Sequence, residues 1–436
     1  MTQIGEPTSR LSIGTLAVGA AKVEITPAAE QLPDQYLGVH DAIYTRAIVL
    51  DNGQRRAALV TLDAGSVSTD TFDRVSQAID TELGITADHL ILTATHTHSV
   101  PRVLEDGFTD HIVEAVRRAS EVVRPAQMAY GTGVCHINVN RNRYDSVNHQ
   151  WWEGPNYDGV SDKTVAVLSF TTQEQQPIAV LYNYGVHAVL SGQLDQISAD
   201  LPGAASDYIE ESLGDDVVAL WSEGTAGDQN PIYFQQTYDL RALRITEYAA
   251  RGIDISNAMP PGGEGLDRNT PHVAKLMSQQ TRLMTSMGQM LGEEVLHTLR
   301  ETMERPQPRI EIVGGHKVIA CPGRTRTDKG RAGRPGIYEN AGDVPIRLSL
   351  LRLGDTIIGG VNGEVFTEIG LRFKRASPYK HSIMATLTNG FGPSGYIASD
   401  GASGYATFEV LSSKLIPGYA ETAIVEGLLD LIEQTQ

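Results

Sequence analysis

The strongest constraint on this chain is a series of strand-length apolar runs that are continuous where a half-exposed strand would alternate. They include RAIVLD at 46–51, RAALVTLD at 56–63, HLILTAT at 89–95, TVAVLSF at 164–170, IAVLYNYG at 178–185 and VVALWSEG at 217–224. Later come SLLRLGDTIIGGVNG at 349–363 and SIMATLTNG at 382–390. A strand apolar at every position is buried on both faces, so each run needs covering layers above and below. Helical periodicity supplies candidates for those layers at 70–83, 109–123, 202–213, 270–302, 364–375 and 417–435. The combination predicts an α/β fold, a large mixed β-sheet core covered by helices. The 436 residues are enough for a large core, and we read 1–436 as a single domain.

Charge removes one class of partner. With 35 Lys+Arg against 53 Asp+Glu the net charge is −18, a surface that repels a nucleic-acid backbone. The opening MTQIGEPTSRLSIG has no basic segment followed by an apolar one, and no later stretch approaches the roughly 18 apolar residues of a membrane span. A cytoplasmic protein is the expectation. The two cysteines, Cys135 and Cys321, show no paired spacing and read as idle thiols. Two stretches read as surface excursions: DISNAMPPGGEGLDRNTPH at 254–272, and the basic CPGRTRTDKGRAGRPG at 321–336 with Arg324, Arg326, Lys329, Arg331 and Arg334. The second reads either as selecting an anionic substrate end or as a solvated excursion. The sequence is compatible with a homo-oligomer.

In four places an apolar strand runs out and a ligand-type residue follows: His96 and His98 in ATHTHS, His187 in YNYGVHAVLSG, Glu364 in VNGEVFTEIG, and Tyr396 in GPSGYIAS. Strand ends facing one crevice are where ligands collect in such folds. Histidines at i and i+2 in an extended chain point to one side, so both can face one cavity. Each residue alone also has a plain structural reading. A strand-end histidine can simply be hydrogen-bonded, and Glu364 can serve a helix N-terminus. Together, two imidazoles, a carboxylate and a phenol oxygen make a mixed N/O zinc set.

These motifs, with INVNRNRYD, GVSDKTVAVLSF, SADLPGAASDYIEE, EGTAGDQNP and the FEV at 408–410, occur in an order that resembles the catalytic domain of the neutral/alkaline ceramidases. The likeness runs from GAAKVEITP near the start to ETAIVEGLLDLIEQ near the end. It implies zinc held by His96, His187, Glu364 and Tyr396, with His98 and Arg141 beside it facing substrate and Tyr396 also taking part in catalysis. It assigns Asp200, Asp228 and Asn230 to support behind the site, where turn and helix-cap chemistry is the alternative. Two positions depart from the family pattern: Val100 stands where Gly is usual, and Phe408, at a substrate contact, where the large enzymes have Tyr. The length resembles short bacterial members without the C-terminal immunoglobulin-like domain. The implied activity is zinc-dependent amide hydrolysis of a lipid or smaller N-acyl substrate by zinc-bound water, with His98 moving the proton. Ester or lactone hydrolysis, carbonyl chemistry without hydrolysis, and a non-catalytic ligand-binding descendant are the alternatives.

Overall fold

The structure is a computed structural model and describes residues 13–214, 216–255, 259–260, 262–330 and 333–435. Its strands are mixed in direction and covered by helices as expected, and they divide among three principal sheets. The first orders Leu90–Ala94, Arg56–Leu62, Tyr44–Asp51, Ala17–Glu24 and Arg124–Pro125. The second orders Val218–Glu223, Pro177–Tyr184, Thr164–Thr171 and Gln127–Val134, and the third Ile312–Arg326, Tyr338–Leu353, Thr356–Val361 and His381–Ala385. Each sheet is antiparallel except for one parallel pair, which needs a crossover. Helices Thr69–Leu83, Asp200–Leu213 and Thr367–Ala376 lie between the paired strands in the three cases.

Period-two side-chain direction explains the continuous apolar runs. In Tyr44–Asp51, Ala47 and Val49 pack toward Phe72, Val75, Ile112 and Val116 of the helices Thr69–Leu83 and Thr109–Glu121. Ile48 and Leu50 point the other way, into a core shared by all three sheets with Leu168, Phe170, Leu181, Leu220, Leu351 and Ile358. The second sheet repeats the pattern: Val180, Tyr182 and Trp221 meet Ile209, Met287 and Leu291 of Asp200–Leu213 and Pro271–Glu301. In the third, Leu348 and Ile357 meet Phe373, Ile424 and Leu428 of Thr367–Ala376 and Ala420–Gln434. Burying each such side chain stabilises by about 1.5–3 kcal/mol, so the inner core is what fixes the three sheets against one another.

Several expectations shift. The basic stretch begins as strand, since Arg324 and Arg326 close Ile312–Arg326. Arg331 lies outside the described residues, as do residues 1–12 and, within the other excursion, 256–258 and 261. Cys135 and Cys321 are buried free thiols. No helix among the described residues is long and apolar enough to cross a membrane.

Candidate metal centre

Each principal sheet sends one ligand-type residue from the C-terminal end of a strand into the same place. His96 follows Leu90–Ala94, His187 follows Pro177–Tyr184, and Glu364 follows Thr356–Val361. Glu364 is not in the first turn of a helix, because Thr367–Ala376 starts three residues later. It lies in a short strand, Glu364–Val365, that pairs in parallel with Tyr396–Ile397 and sets Glu364 opposite Tyr396. His96 is not extended either. Its φ is +64°, a left-handed conformation that costs a non-glycine residue about 1–3 kcal/mol. The histidine pair therefore converges through a turn, with ring centroids 4.7 Å apart, rather than by strand alternation.

The Nε2 atoms of His96 and His187 lie 3.2 and 3.1 Å from the same Glu364 Oε2, and the ligand atoms of the three residues fall within 4.8 Å of one another. On their far sides, His96 Nδ1 donates to the Gly65 carbonyl at 2.7 Å and His187 Nδ1 to the Gln229 carbonyl at 3.1 Å. A carbonyl can only accept, so these bonds fix the protons on Nδ1 and aim the Nε2 lone pairs inward. Burial and the nearby Arg141 push the His187 pKa down to about 3, so a second proton does not bridge it to the carboxylate. A lone pair on His187 therefore faces a buried carboxylate oxygen, an arrangement that a cation resolves, and the donor set fits a divalent metal.

Tyr396 borders this centre, with its hydroxyl 3.5 Å from His187 Nε2. Burial and the Glu364 carboxylate hold its pKa well above 10, so it is a neutral phenol. Arg141 Nη2 donates to that oxygen at 3.1 Å and to the Gly227 carbonyl at 3.0 Å, while Nη1 donates to Asn230 Oδ1 at 3.1 Å. Nε pairs with Glu409 at 2.5 Å. Arg141 is 3% exposed and borders the centre through its bond to the Tyr396 oxygen. Phe408, half-buried, packs edge-on against Tyr396 at 5.2 Å and under the Arg141 guanidinium at 5.6 Å.

His98 is the exposed member of the group. Its Nδ1 donates to the His96 carbonyl at 2.9 Å, which leaves the Nε2 lone pair free. The protein packed around it and the neighbouring His96 push its pKa down to about 4, so it is neutral at pH 7. Val100 is buried in the core of the first sheet, packed among apolar neighbours.

The three supporting residues all brace loops of the site. Asp200 accepts from the Ser191 backbone and hydroxyl, both at 2.5 Å, and so clamps the turn after His187. Asp228 accepts from Thr367 N at 3.0 Å and Thr367 Oγ1 at 2.7 Å, tying its loop to the helix that follows Glu364. Asn230 bridges Arg141 and Glu153. Glu409 and the carbonyls of Gly65 and Gln229 carry no sequence signal that the motifs could reveal, because backbone carbonyls are silent and Glu409 meets Arg141 only through the fold.

Comparisons with known proteins agree with this fold. Residues 29–295 match the family model of the neutral/alkaline non-lysosomal ceramidase N-terminal region. Neutral ceramidase A of Dictyostelium discoideum is 27% identical over 253 residues, 49% of this chain and 35% of that protein. Neutral ceramidase of Drosophila melanogaster is 22% identical over 342 residues, 70% of this chain and 47% of that protein. The chain therefore spans less than half the length of these curated relatives. A solved ceramidase complexed with C2 superposes with a TM-score of 0.72 at 16% identity, covering 96% of this chain and 76% of that one. The crystal structure of neutral ceramidase from Pseudomonas aeruginosa gives 0.71 at 16% identity, over 96% and 75%. At that identity the two structures establish the fold.

Proposed function

We propose, for a chain that belongs to the neutral/alkaline non-lysosomal ceramidase family, that it is a zinc hydrolase cleaving the C–N amide bond of an N-acyl substrate, ceramide or a smaller polar relative. The observation that carries this reading is the inward convergence of His96 Nε2, His187 Nε2 and Glu364 Oε2 beneath a solvent-open His98. Zinc bound there supplies a Lewis acid for the scissile carbonyl and makes water acidic enough to attack near pH 7.

The chain's own groups do the rest. His98, neutral and with Nε2 free, accepts the proton of the attacking water and returns it to the departing nitrogen. Tyr396 keeps its proton because burial raises its pKa. Since Arg141 donates to its oxygen, the phenol hydrogen is directed toward His187 Nε2 and Glu364, and from that place it can be given to the oxygen of the tetrahedral intermediate. Alternatively the same oxygen completes the ligand set, and Arg141 then stabilises its negative charge. Phe408 offers no hydroxyl beside Tyr396, which favours a headgroup with fewer polar contacts there.

Elemental analysis of wild type beside His187→Ala, with both assayed on matched N-acyl and O-acyl substrates, tests the reading. About one zinc per chain, lost together with amide turnover in the variant, is expected. Preference for O-acyl substrates would replace amidase by esterase, and a metal-free, inactive wild type would refute the hydrolase.

A further inference from the structure

Beside Tyr396, the Arg141 guanidinium also forms a buried charge pair. Glu409, 1% exposed, sits 2.5 Å from Arg141 Nε, while Nη2 of the same guanidinium reaches Tyr396. Neither Glu409 carboxylate oxygen accepts a well-aligned hydrogen bond, so charge holds this pair together. The two terminal nitrogens are held by Asn230 Oδ1 at Nη1 and by the Gly227 carbonyl at Nη2. Glu364 also acts on Arg141 electrostatically, and it belongs to the centre itself. Without Glu409, the buried guanidinium loses the counter-charge at Nε and becomes free to shift relative to the phenol.

The helix that carries Glu409 is itself pinned. Phe408–Ser412 is only five residues long. Arg324 donates from Nη2 to the Val410 carbonyl at 2.8 Å and from Nε to the Ser413 carbonyl at 3.3 Å. Its guanidinium lies 3.8 Å over the Tyr338 ring, and the Tyr338 hydroxyl donates to the Leu411 carbonyl at 3.1 Å. The first arginine of the basic stretch thus acts inward as a helix anchor, satisfying carbonyls that a short helix leaves bare.

We propose that Glu409 is a positioning residue: held by the Arg324-anchored helix, it fixes Arg141 so that the Tyr396 oxygen stays aimed at the metal centre. This rests on the metallohydrolase reading. A purely structural counter-ion would affect folding. A positioning residue affects turnover and the geometry around the metal while leaving substrate binding in place.

The test compares wild type, Glu409→Gln and Glu409→Asp, each loaded with cobalt for its visible spectrum and with zinc for kinetics. Glu409→Gln should keep about one cobalt per chain and a near-native melting temperature, yet show an altered cobalt band. Its kcat should fall about 10–100-fold with KM within about twofold. Glu409→Asp, which keeps the charge, should recover part of kcat. A Gln variant with wild-type spectrum and kcat overturns the proposal. Loss of fold in both variants also overturns it and makes Glu409 a structural counter-ion. Wild type that takes up no cobalt refutes the metal reading itself and the Glu409 role with it, whereas normal uptake with an unmoved variant refutes only the latter.

Discussion

Asp200 gives the sharpest test of how the site is braced. It is 1% exposed, has φ +58°, and heads the helix Asp200–Leu213. One carboxylate oxygen takes both Ser191 donors at 2.5 Å, and the other takes Leu201 N at 2.6 Å. Asp200→Ala removes the Ser191 bonds and leaves a buried N–H without a partner, at about 1.5–3 kcal/mol for each charge-assisted bond. It also puts alanine in a left-handed conformation, worth about 1–2 kcal/mol. Against this, burial raises the Asp200 pKa, so removing the carboxylate relieves a desolvation cost that offsets part of the loss. The net is about 3–4 kcal/mol for alanine, and about 1–2 kcal/mol for Asp200→Asn, which tolerates the backbone and keeps an acceptor. Ser191 is four residues beyond His187, so the alanine variant should also bind metal about tenfold more weakly. Urea unfolding and chelator competition measure both quantities. Variants within about 0.5 kcal/mol of wild type, or asparagine worse than alanine, would refute the reasoning.

Two further outcomes follow from close approach and from charge. A Cβ on Gly227 would lie 2.8 Å from the Glu364 carbonyl oxygen and 2.9 Å from Val365 C, backbone atoms that cannot swing aside. Gly227→Ala should therefore cost about 2–3 kcal/mol and lower metal occupancy, as read by thermal melts and elemental analysis. Asp41 accepts from Ser198 Oγ and Ala199 N, both at 2.6 Å, and burial pushes its pKa up to about 7. The folded state then holds this proton more tightly than the unfolded chain, which releases it near 3.8. The group's contribution is most favourable below that value, falls as pH rises toward about 7, and is constant above it. With the side chain 30% exposed, solvent screens the effect to about 1–2 kcal/mol. Asp41→Asn should accordingly melt higher than wild type at pH 8 and lose that advantage at pH 5; a pH-independent difference would show that Asp41 does not titrate in this range.

The sequence revealed the elements whose burial is apolar and hid those whose burial is polar. Pro177–Tyr184 was legible because both of its faces meet hydrocarbon. Asn138–Asp145 was not, although Asn138, Asn140, Arg141 and Asn142 are as buried as any core residue. They are satisfied by site loops, for example Asn138 Nδ2 by the Gly185 carbonyl and Asn140 Nδ2 by Asp228. Helix Gln235–Ala250 escaped for the same reason. Its buried face is Thr237, Leu240, Arg244 and Tyr248, and Arg244 is accommodated by Gln193 and the carbonyls of Pro260 and Glu264. For the site, strand ends marked His96, His187, Glu364 and Tyr396, but the left-handed turn at His96 and the burial of Arg141 depend on tertiary contacts that no spacing encodes.

The division between what the three sheets hold and what surrounds them has a consequence for selectivity. His96, His187 and Glu364 hang from strand ends whose mutual positions are set by one shared apolar core, and their Nδ1 partners are backbone carbonyls that survive most substitutions. Tyr396 and Phe408 are placed differently. They depend on the pair Glu364–Val365 and Tyr396–Ile397 and on a five-residue helix tied by Arg324 and Tyr338, all outside the shared core. Changing the helix ties moves Tyr396 and Phe408 without repacking the three sheets. Trp151, stacked 4.0 Å from Tyr405, links the hairpin of Asn138–Asp145 and Gln150–Asn156 to the same region, so the strand bearing Arg141 and the helix bearing Glu409 are coupled at the surface as well as through their ion pair. A fold built this way can keep three ligand-type side chains in place while the surroundings of the phenol change, because the short helix that shapes those surroundings lies outside the core shared by the three sheets.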